Sequence, residues 1–241
     1  MEYNFYDVLA WHYDEMQSDM DTHHWADLLD SLIKKHGKIS VNSITDLGCG
    51  TGSVDILLAD KGYQITGIDS AEGMLVEASS KDPEGRIIWS LQDITDFELP
   101  ENTDCFLSLL DTLDHIMEPE VLQRVFDKVS ENLNAGGLFI FDVITEKHLE
   151  ETLGDNIFYE DYEDFTLLWQ NRYDKDTKIN TAELTFFTLR GDGAYDRADG
   201  DLVERFYALD LIEKMGAKSG LKLASTLSED EERVFMVFIK E

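Results

Sequence analysis

Residues 46–52 read DLGCGTG, three glycines at every second position, set between the apolar-leaning SIT of residues 43–45 and SVDILLAD at residues 53–60. Glycine carries no Cβ, so a backbone of this composition can turn sharply and lie close against another group. Its flanks give the turn a place in a fold. Ser43–Leu47 reads as a strand, and Ser53–Asp60 as a helix with Val54, Leu57 and Leu58 on one side. Strand, glycine turn and helix in that order begin a doubly wound α/β sheet, in which ligands bind beyond the carboxyl ends of the strands. A glycine turn by itself is weak evidence, since tight turns of many kinds use glycine.

The remainder of the chain continues the alternation. Strands are predicted at Gln64–Asp69, Ile87–Gln92, Cys105–Leu110 and Leu138–Ile144, several of them nearly continuous apolar runs of the kind covered on both faces. Helices are predicted at Ala71–Ser80 and at Pro119–Leu133, where Val121, Leu122, Val125, Phe126 and Val129 recur at helical spacing. Trp25, Leu28, Leu29, Leu32 and Ile33 mark a further helix near the N-terminus. After Ile144 the rhythm changes: Phe158–Glu163, Phe165–Arg172, Thr181–Arg190 and Asp201–Tyr207 look like strands joined by turns such as YDKDTK and GDGAYDRADG. A helix at Leu209–Gly216 and strands at Leu221–Ala224 and Arg233–Lys240 close the chain. The expected fold is α/β, a Rossmann-like doubly wound sheet of seven mostly parallel strands with an inserted antiparallel β lid. Residues 1–144 would supply N-terminal helices and the ligand-binding core, 145–207 the inserted lid, and 208–241 the return to the core.

Charge and cysteine content limit the function. Against 51 acidic residues stand 20 Lys and Arg, a formal net charge of −31, and such a surface repels phosphate backbones, so nucleic acid is a poor partner. The acidity suits solubility; a more specific reading is attraction of a cationic substrate. Two cysteines, Cys49 and Cys105, make no disulfide framework. The acidic N-terminal stretch has no signal-peptide pattern and no apolar run approaches membrane-spanning length, which implies a soluble, cytoplasmic protein with no membrane partner.

Three aspartates fit one nucleoside. Asp46 lies at the end of the first strand, Asp69 ends the second and Asp93 follows the third, where neighbouring carboxyl ends converge. A carboxylate after the second strand can accept both ribose hydroxyls, and one after the third can accept an adenine amino group. Each alone would be an ordinary solvated acid; three at successive strand ends are a pattern.

In these motifs the chain resembles the class I S-adenosylmethionine-dependent methyltransferases. DLGCGTG matches that family's first motif, GIDSAEGML resembles the second, LQDI the third, CFLSLLDTLDHI the fourth, and LNAGGLFIFDV leads into the fifth strand, together covering about residues 40–145. YDVLAWHYDEM and the inserted hairpins resemble the small-molecule branch with sugar amine and glycine-type N-methyltransferases. The resemblance implies S-adenosylmethionine as cofactor and S-adenosylhomocysteine as product, with no metal. It implies that Asp46, Gly48, Gly50 and Gly52 hold the methionine moiety, that Asp69 and Ser70 meet the ribose, and that Met74, Asp93 and Ile94 surround the adenine. Leu110 joins the set from the fourth motif, and Tyr13 would close over the cofactor, with Tyr6 as the other candidate. The spacing Gly-x-Gly-x-Gly also differs from the G-x-G-x-x-G of pyrophosphate binding, which leaves an NAD-dependent oxidoreductase as a minor alternative.

Methyl transfer from a sulfonium is an in-line displacement, so alignment of acceptor, methyl and sulfur in a dry site supplies most of the rate. A protonated acceptor needs a base. LLDTLDHI at the end of the fourth strand offers Asp111, Asp114 and His115, with His115 and Asp111 as the catalytic candidates. Both have bland alternatives, a packing histidine and a solvated acid, and their tight spacing on a loop makes metal ligation a weaker reading. The two prolines and aromatic of methyltransferases acting on nucleic-acid bases are absent here. The acceptor is therefore expected to be a small soluble molecule, methylated at nitrogen rather than oxygen; the alternative is a non-catalytic cofactor-binding regulator or subunit.

Overall fold

A computed structural model describes residues 5–228 and 231–241. Helices α1 (Phe5–Met16) and α2 (Thr22–His36) precede an alternating core of β1 (Ser43–Leu47), α3 (Ser53–Asp60), β2 (Gln64–Asp69), α4 (Glu72–Lys81), β3 (Ile88–Leu91), β4 (Thr103–Ser108), α5 (Pro119–Asn132) and β5 (Leu133–Ile144). A second group of strands follows, β6 (Ile157–Asp161), β7 (Phe165–Asp174), β8 (Ile179–Leu189) and β9 (Tyr195–Arg205), and then α6 (Leu209–Lys218), β10 (Leu221–Leu227) and β11 (Arg233–Lys240). The core strands form one seven-stranded sheet in the order β10-β11-β5-β4-β1-β2-β3, and β6 to β9 form a separate four-stranded antiparallel meander. Strands β1 to β5 run parallel, and β10 and β11 are antiparallel. The chain thus has the Rossmann-like α/β fold expected, and among the described residues no helix is long and apolar enough to cross a membrane.

Strands covered on both faces are apolar along most of their length, as the central parts of β4 and β5 are: Cys105, Phe106, Leu107, Phe139, Ile140 and Phe141 have no exposed surface. On one face α5 and α6 pack Leu122, Val125, Phe126, Val129, Ile212 and Met215 onto Phe106, Phe139, Phe141 and Phe238. On the other, α2 and α3 pack Leu29, Leu32, Ile33, Val54 and Leu58 onto Ile44, Leu107, Ile140 and Val237. Phe126 sits at the centre of the first layer, its ring 5.4, 5.7 and 5.9 Å from those of Phe139, Phe141 and Phe238.

Several boundaries differ from the sequence reading, two of them by five residues or more. β5 begins at Leu133, not Leu138, because Leu133 pairs with Thr103 while the chain bulges through Gly136, whose φ of +80° few other residues would take. GDGAYDRADG is a turn only over 191–194; from Tyr195 onward it is strand. A meander with one solvated face tolerates a polar-rich strand, with Arg197, Asp199 and Asp201 outward and Ala198, Gly200 and Leu202 inward. Gly200 is small of necessity, since a Cβ there would stand 2.2 Å from the ring of Phe5 on α1.

That contact shows how the meander is held. Val8, Leu9 and Ala10 of α1 pack with Phe165, Leu167, Ala182, Leu184 and Phe186 on its inner face, and His12 stacks on Phe165 at 3.9 Å. The same helix reaches the core: Asp14 accepts hydrogen bonds from Thr51 (2.5 Å) and Ser53 (3.2 Å) and pairs with Lys81.

Truncating Phe126 to Ala removes the ring on which three others pack. Urea denaturation should show a loss of about 3–5 kcal/mol with an unchanged denaturant slope.

Candidate active site

The glycine turn is built as the sequence implies. Gly48 has φ of +77° and a Cβ there would meet the Thr112 side chain at 2.3 Å, while Gly52, with φ of +68°, would drive one into Trp89 at 2.3 Å. No other residue fits either place. Asp69 at the end of β2 ties the turn down: its Oδ2 accepts the Gly50 N–H at 2.8 Å and its Oδ1 accepts that of Ala71 at 2.8 Å. Burial raises its pKa despite these donors. Between this turn, the end of β4 and α1 lies a cavity of about 330 Å³ lined by Tyr13, Asp46, Gly48, Gly50, Asp55 and Leu110 among others.

Of the sequence candidates, Tyr13, Asp46, Gly48, Gly50 and Leu110 line this cavity, and the others lie around or away from it. Asp46 is 3 % exposed and its Oδ1 has no hydrogen-bond partner. Tyr13 is half-buried beside Gly50, with Asp111, Arg233, Asp69 and Asp142 as its charged neighbours. Tyr6, the other tyrosine candidate, is 49 % exposed and does not line the cavity. Ser70 is exposed beside Asp69. Asp93 is exposed beyond β3 and accepts the Thr95 N–H at 2.8 Å. Ile94 packs against the core layer, and Met74 is buried in the cluster between α1 and the meander.

Leu110 and Asp111 both hold left-handed backbone, φ of +56° and +64°, a strained choice for residues with side chains. Two bonds hold the strain. The Leu110 N–H donates to Oδ1 of Asp142 at 2.8 Å, and Asp111 pairs with the Arg233 guanidinium at 2.5 Å. Arg233 also reaches Oδ2 of Asp142 at 3.0 Å and lies 5.9 Å from the centre of the Trp25 ring. Burial lifts the Asp142 pKa to about 6 even with that cation beside it. Asp114 is fully buried and accepts the Ile144 N–H at 3.0 Å; burial pushes its pKa well up. His115 is exposed, and its Nδ1 lies 2.8 Å from the Val203 carbonyl of β9.

The meander faces this place with a polar end. Its inner face carries the apolar cluster under α1, then Trp169, Asn171 and Tyr173 on β7, Asn180 on β8 and Glu204 on β9. Trp169 Nε1 donates to Oδ1 of Asn171 at 3.0 Å, and Asn180 Nδ2 donates to Asn171 at 3.2 Å and to Oε2 of Glu204 at 3.2 Å. Asn171 Nδ2 and Asn180 Oδ1 are buried without partners. The Glu204 pKa is raised, chiefly by burial and then by Asp111, with His115 and Arg233 opposing.

Sequence reasoning missed Asp55, Asp142, Glu204, Arg233 and the two asparagines. Asp55 and Asp142 each interrupt an apolar run, and Glu204 shares a strand face with Leu202; those were readable signals. Nothing in the sequence pairs Arg233 with Asp111, 122 positions away. Two arginines of the meander lie away from this place: Arg172 is an exposed partner of Glu183 at 3.8 Å, and Arg205 donates to the Met117 carbonyl at 3.0 Å.

The residues present suit S-adenosylmethionine. A turn with no room for a Cβ at Gly48 and Gly52, a carboxylate at the second strand end and a buried carboxyl at the first with an oxygen that no donor meets match a nucleoside with a cationic tail.

Comparison with known proteins agrees. Residues 44–137 match the family model of the methyltransferase domain. YqeM of Bacillus subtilis (strain 168), a methyltransferase by assignment with no acceptor stated, is 30% identical over 215 residues, 88% of this chain and 84% of its own. A similarly assigned protein of Geobacillus sp. (strain WCH70) is 27% identical over 242 residues, 96% of this chain and 98% of its own. The crystal structure of an S-adenosylmethionine-dependent methyltransferase from Clostridium acetobutylicum ATCC 824 superposes with a TM-score of 0.85 at 26% identity, over 98% of this chain and 99% of that one. The sugar N-methyltransferase KedS8 from Streptoalloteichus sp. ATCC 53650 shares the fold with a TM-score of 0.81 at 16% identity, over 96% of this chain and 92% of its own.

Arg233→Met leaves Asp111 and Asp142 buried beside one another without their guanidinium, and guanidinium chloride titration should show a loss of about 3–5 kcal/mol. A second expectation concerns pH. Burial, with Asp69 and Asp142 nearby, pushes the Asp46 pKa up to about 7 from an ordinary 3.8. The folded state then holds a proton that the unfolded chain has lost, so stability from this group is present at low pH and falls as pH rises from about 4 to about 7. Asp46→Asn should flatten the difference between urea midpoints at pH 5 and pH 8, separating this residue from the repulsion of the whole acidic chain.

Proposed function

The chain belongs to the class I S-adenosylmethionine-dependent methyltransferases, and from that premise we propose that it methylates a nitrogen of a small soluble acceptor held between the strand ends and the polar end of the meander. The observation that carries this reading is the charge of that space: Asp111, Asp142 and Glu204 gather there around the single guanidinium of Arg233. Such a place favours a cation over an anion, and an amine is the acceptor that arrives as one.

On this reading Gly48, Gly50, Gly52, Asp46 and Tyr13 hold the cofactor's methionine part, Asp69 and Ser70 the ribose, and Met74, Asp93 and Ile94 the adenine side, while Leu110 lines the methionine cavity from the loop after β4. When bound, the cofactor supplies an activated methyl group on a sulfonium, open to in-line attack. Glu204, oriented by Asn180, draws in the ammonium of the acceptor and turns its nitrogen toward the strand ends. His115, held through Val203 on the same strand, takes on this reading the proton that the nitrogen must lose before it can attack. Asp111, committed to Arg233, shapes the loop and balances charge; it is a positioning residue, not the base. On this reading the meander and α1 cover the acceptor, and alignment is the main source of rate.

The test is formation of S-adenosylhomocysteine from S-adenosylmethionine by the purified chain with panels of small amines, alcohols and carboxylates. Turnover should appear with amines. Glu204→Gln should lower kcat/KM by about 10²–10³-fold with cofactor affinity kept, and Asp69→Ala should weaken the cofactor by roughly tenfold or more. Turnover confined to alcohols or carboxylates would overturn the nitrogen assignment.

A further inference from the structure

We propose that Asp55 is a second carboxyl of the cofactor's amino-acid subsite: with Asp46 it forms a proton-sharing acid pair that receives the ammonium of the cofactor's tail, so that binding releases a proton. The proposal rests on the methyltransferase reading above.

Asp55 is the third residue of α3, 1 % exposed, and both of its oxygens lack a hydrogen-bond donor from the protein backbone or a neutral side chain. What faces it is the carboxyl of Asp46, close enough for the two to bond to each other. Two carboxylates cannot do so; one must carry a proton. A buried acid pair is costly to keep without a cation, and here it borders the cavity under Tyr13 and Gly50. The groups that surround it do not supply one. Asp69 on β2, Asp142 on β5, Cys49 in the glycine turn and Cys105 on β4 face the pair, and all are acidic or neutral. Lys81 on α4, which bonds to two residues of the cavity lining, is occupied by them, Asp14 of α1 and Ser53. A ligand must bring the charge.

The order of strands says which end of the ligand comes here. Asp69 and Asp93 place the nucleoside over β2 and β3, and the cavity with the acid pair lies on the other side, between the ends of β1 and β4. S-adenosylmethionine carries its amino-acid tail at that end. Its ammonium stabilises the carboxylate forms of the pair, and the displaced proton leaves to solvent. Burial holds both carboxyls above the ordinary range before the ligand arrives, so there is a proton to lose near neutral pH.

Isothermal titration in buffers of different ionisation enthalpy counts that proton. S-adenosylhomocysteine and 5′-methylthioadenosine share the nucleoside and sulfur, but the second has no amino-acid tail. At pH 6.5 the tail amine is already an ammonium, so any proton released comes from the protein. S-adenosylhomocysteine should release about half to one proton and methylthioadenosine close to none. Asp55→Asn, and Asp55→Thr as a smaller alternative that can still donate to Asp46, should bind S-adenosylhomocysteine with that release lost. Equal release by both ligands, or full release retained in the Asp55 variants, overturns the pair's role. Binding of neither nucleoside overturns the cofactor reading itself.

Discussion

Asp142 is a carboxylate near the end of the apolar strand β5, with no exposed surface, and the geometry of the candidate site depends on its two bonds. It accepts the Leu110 N–H with one oxygen and the Arg233 guanidinium with the other. The first bond holds the loop after β4 in left-handed backbone; the second brings β11 into the site from the antiparallel edge of the sheet. Through Arg233 it also fixes Asp111, and so the direction in which that loop continues toward His115. An apolar residue at position 142 would suit β5 better as a strand. It would also leave the loop free to relax to ordinary backbone, since the about 1–2 kcal/mol per residue of left-handed strain would have no compensation.

The meander depends on a division of one sheet face. Period-two alternation places Phe165, Leu167, Trp169, Asn171 and Tyr173 on the same side of β7, and along that side the chemistry changes from apolar to polar. The apolar half is buried by α1, and the polar half meets the strand ends. Helix α1 therefore touches both parts of the site, because Asp14 on its last turn is bonded to the glycine loop while Phe5 and Val8 at its start lie on the meander. On the proposed reading, cofactor cavity and acceptor space share one wall.

Sequence legibility followed the range of the interactions. DLGCGTG, the helix after it and Asp69 are local features; their spacing alone places them, and β1, α3 and β2 lie where the pattern puts them. The start of β5 was misread because NAGG looks like a turn, and only pairing with Thr103 makes Leu133 part of a strand. YDRADG resembled a turn by composition, and what makes it a strand is a partner, β8, that covers its backbone bonds while its acids face water. Asp55 and Glu204 were visible as acids on otherwise apolar faces, but in a chain with 51 acidic residues one more acid draws no notice. Arg233 had no local signal of any kind, because its partners come from two other strands' ends.

The same abundance makes burial the variable that sorts the acids. Most of them lie in water, where an aspartate is a solubilising charge and its exact place matters little. Asp46, Asp55, Asp114 and Asp142 are each 3 % exposed or less, and a carboxyl moved from water to such a place must find a donor, share a proton or wait for a cation. Asp142 has its donors and its guanidinium. Asp114 has one backbone N–H. Asp46 and Asp55 have each other, and two acids facing one another beside a cavity are the least satisfied of the set. Composition assigns all of these residues to one class, yet their separate environments give one the task of shaping a loop and leave another open toward a ligand. The chemistry of the site therefore comes from where the fold withholds water, and the glycine turn, by bringing backbone and cavity to the ends of β1 and β4, decides which carboxyls it is withheld from.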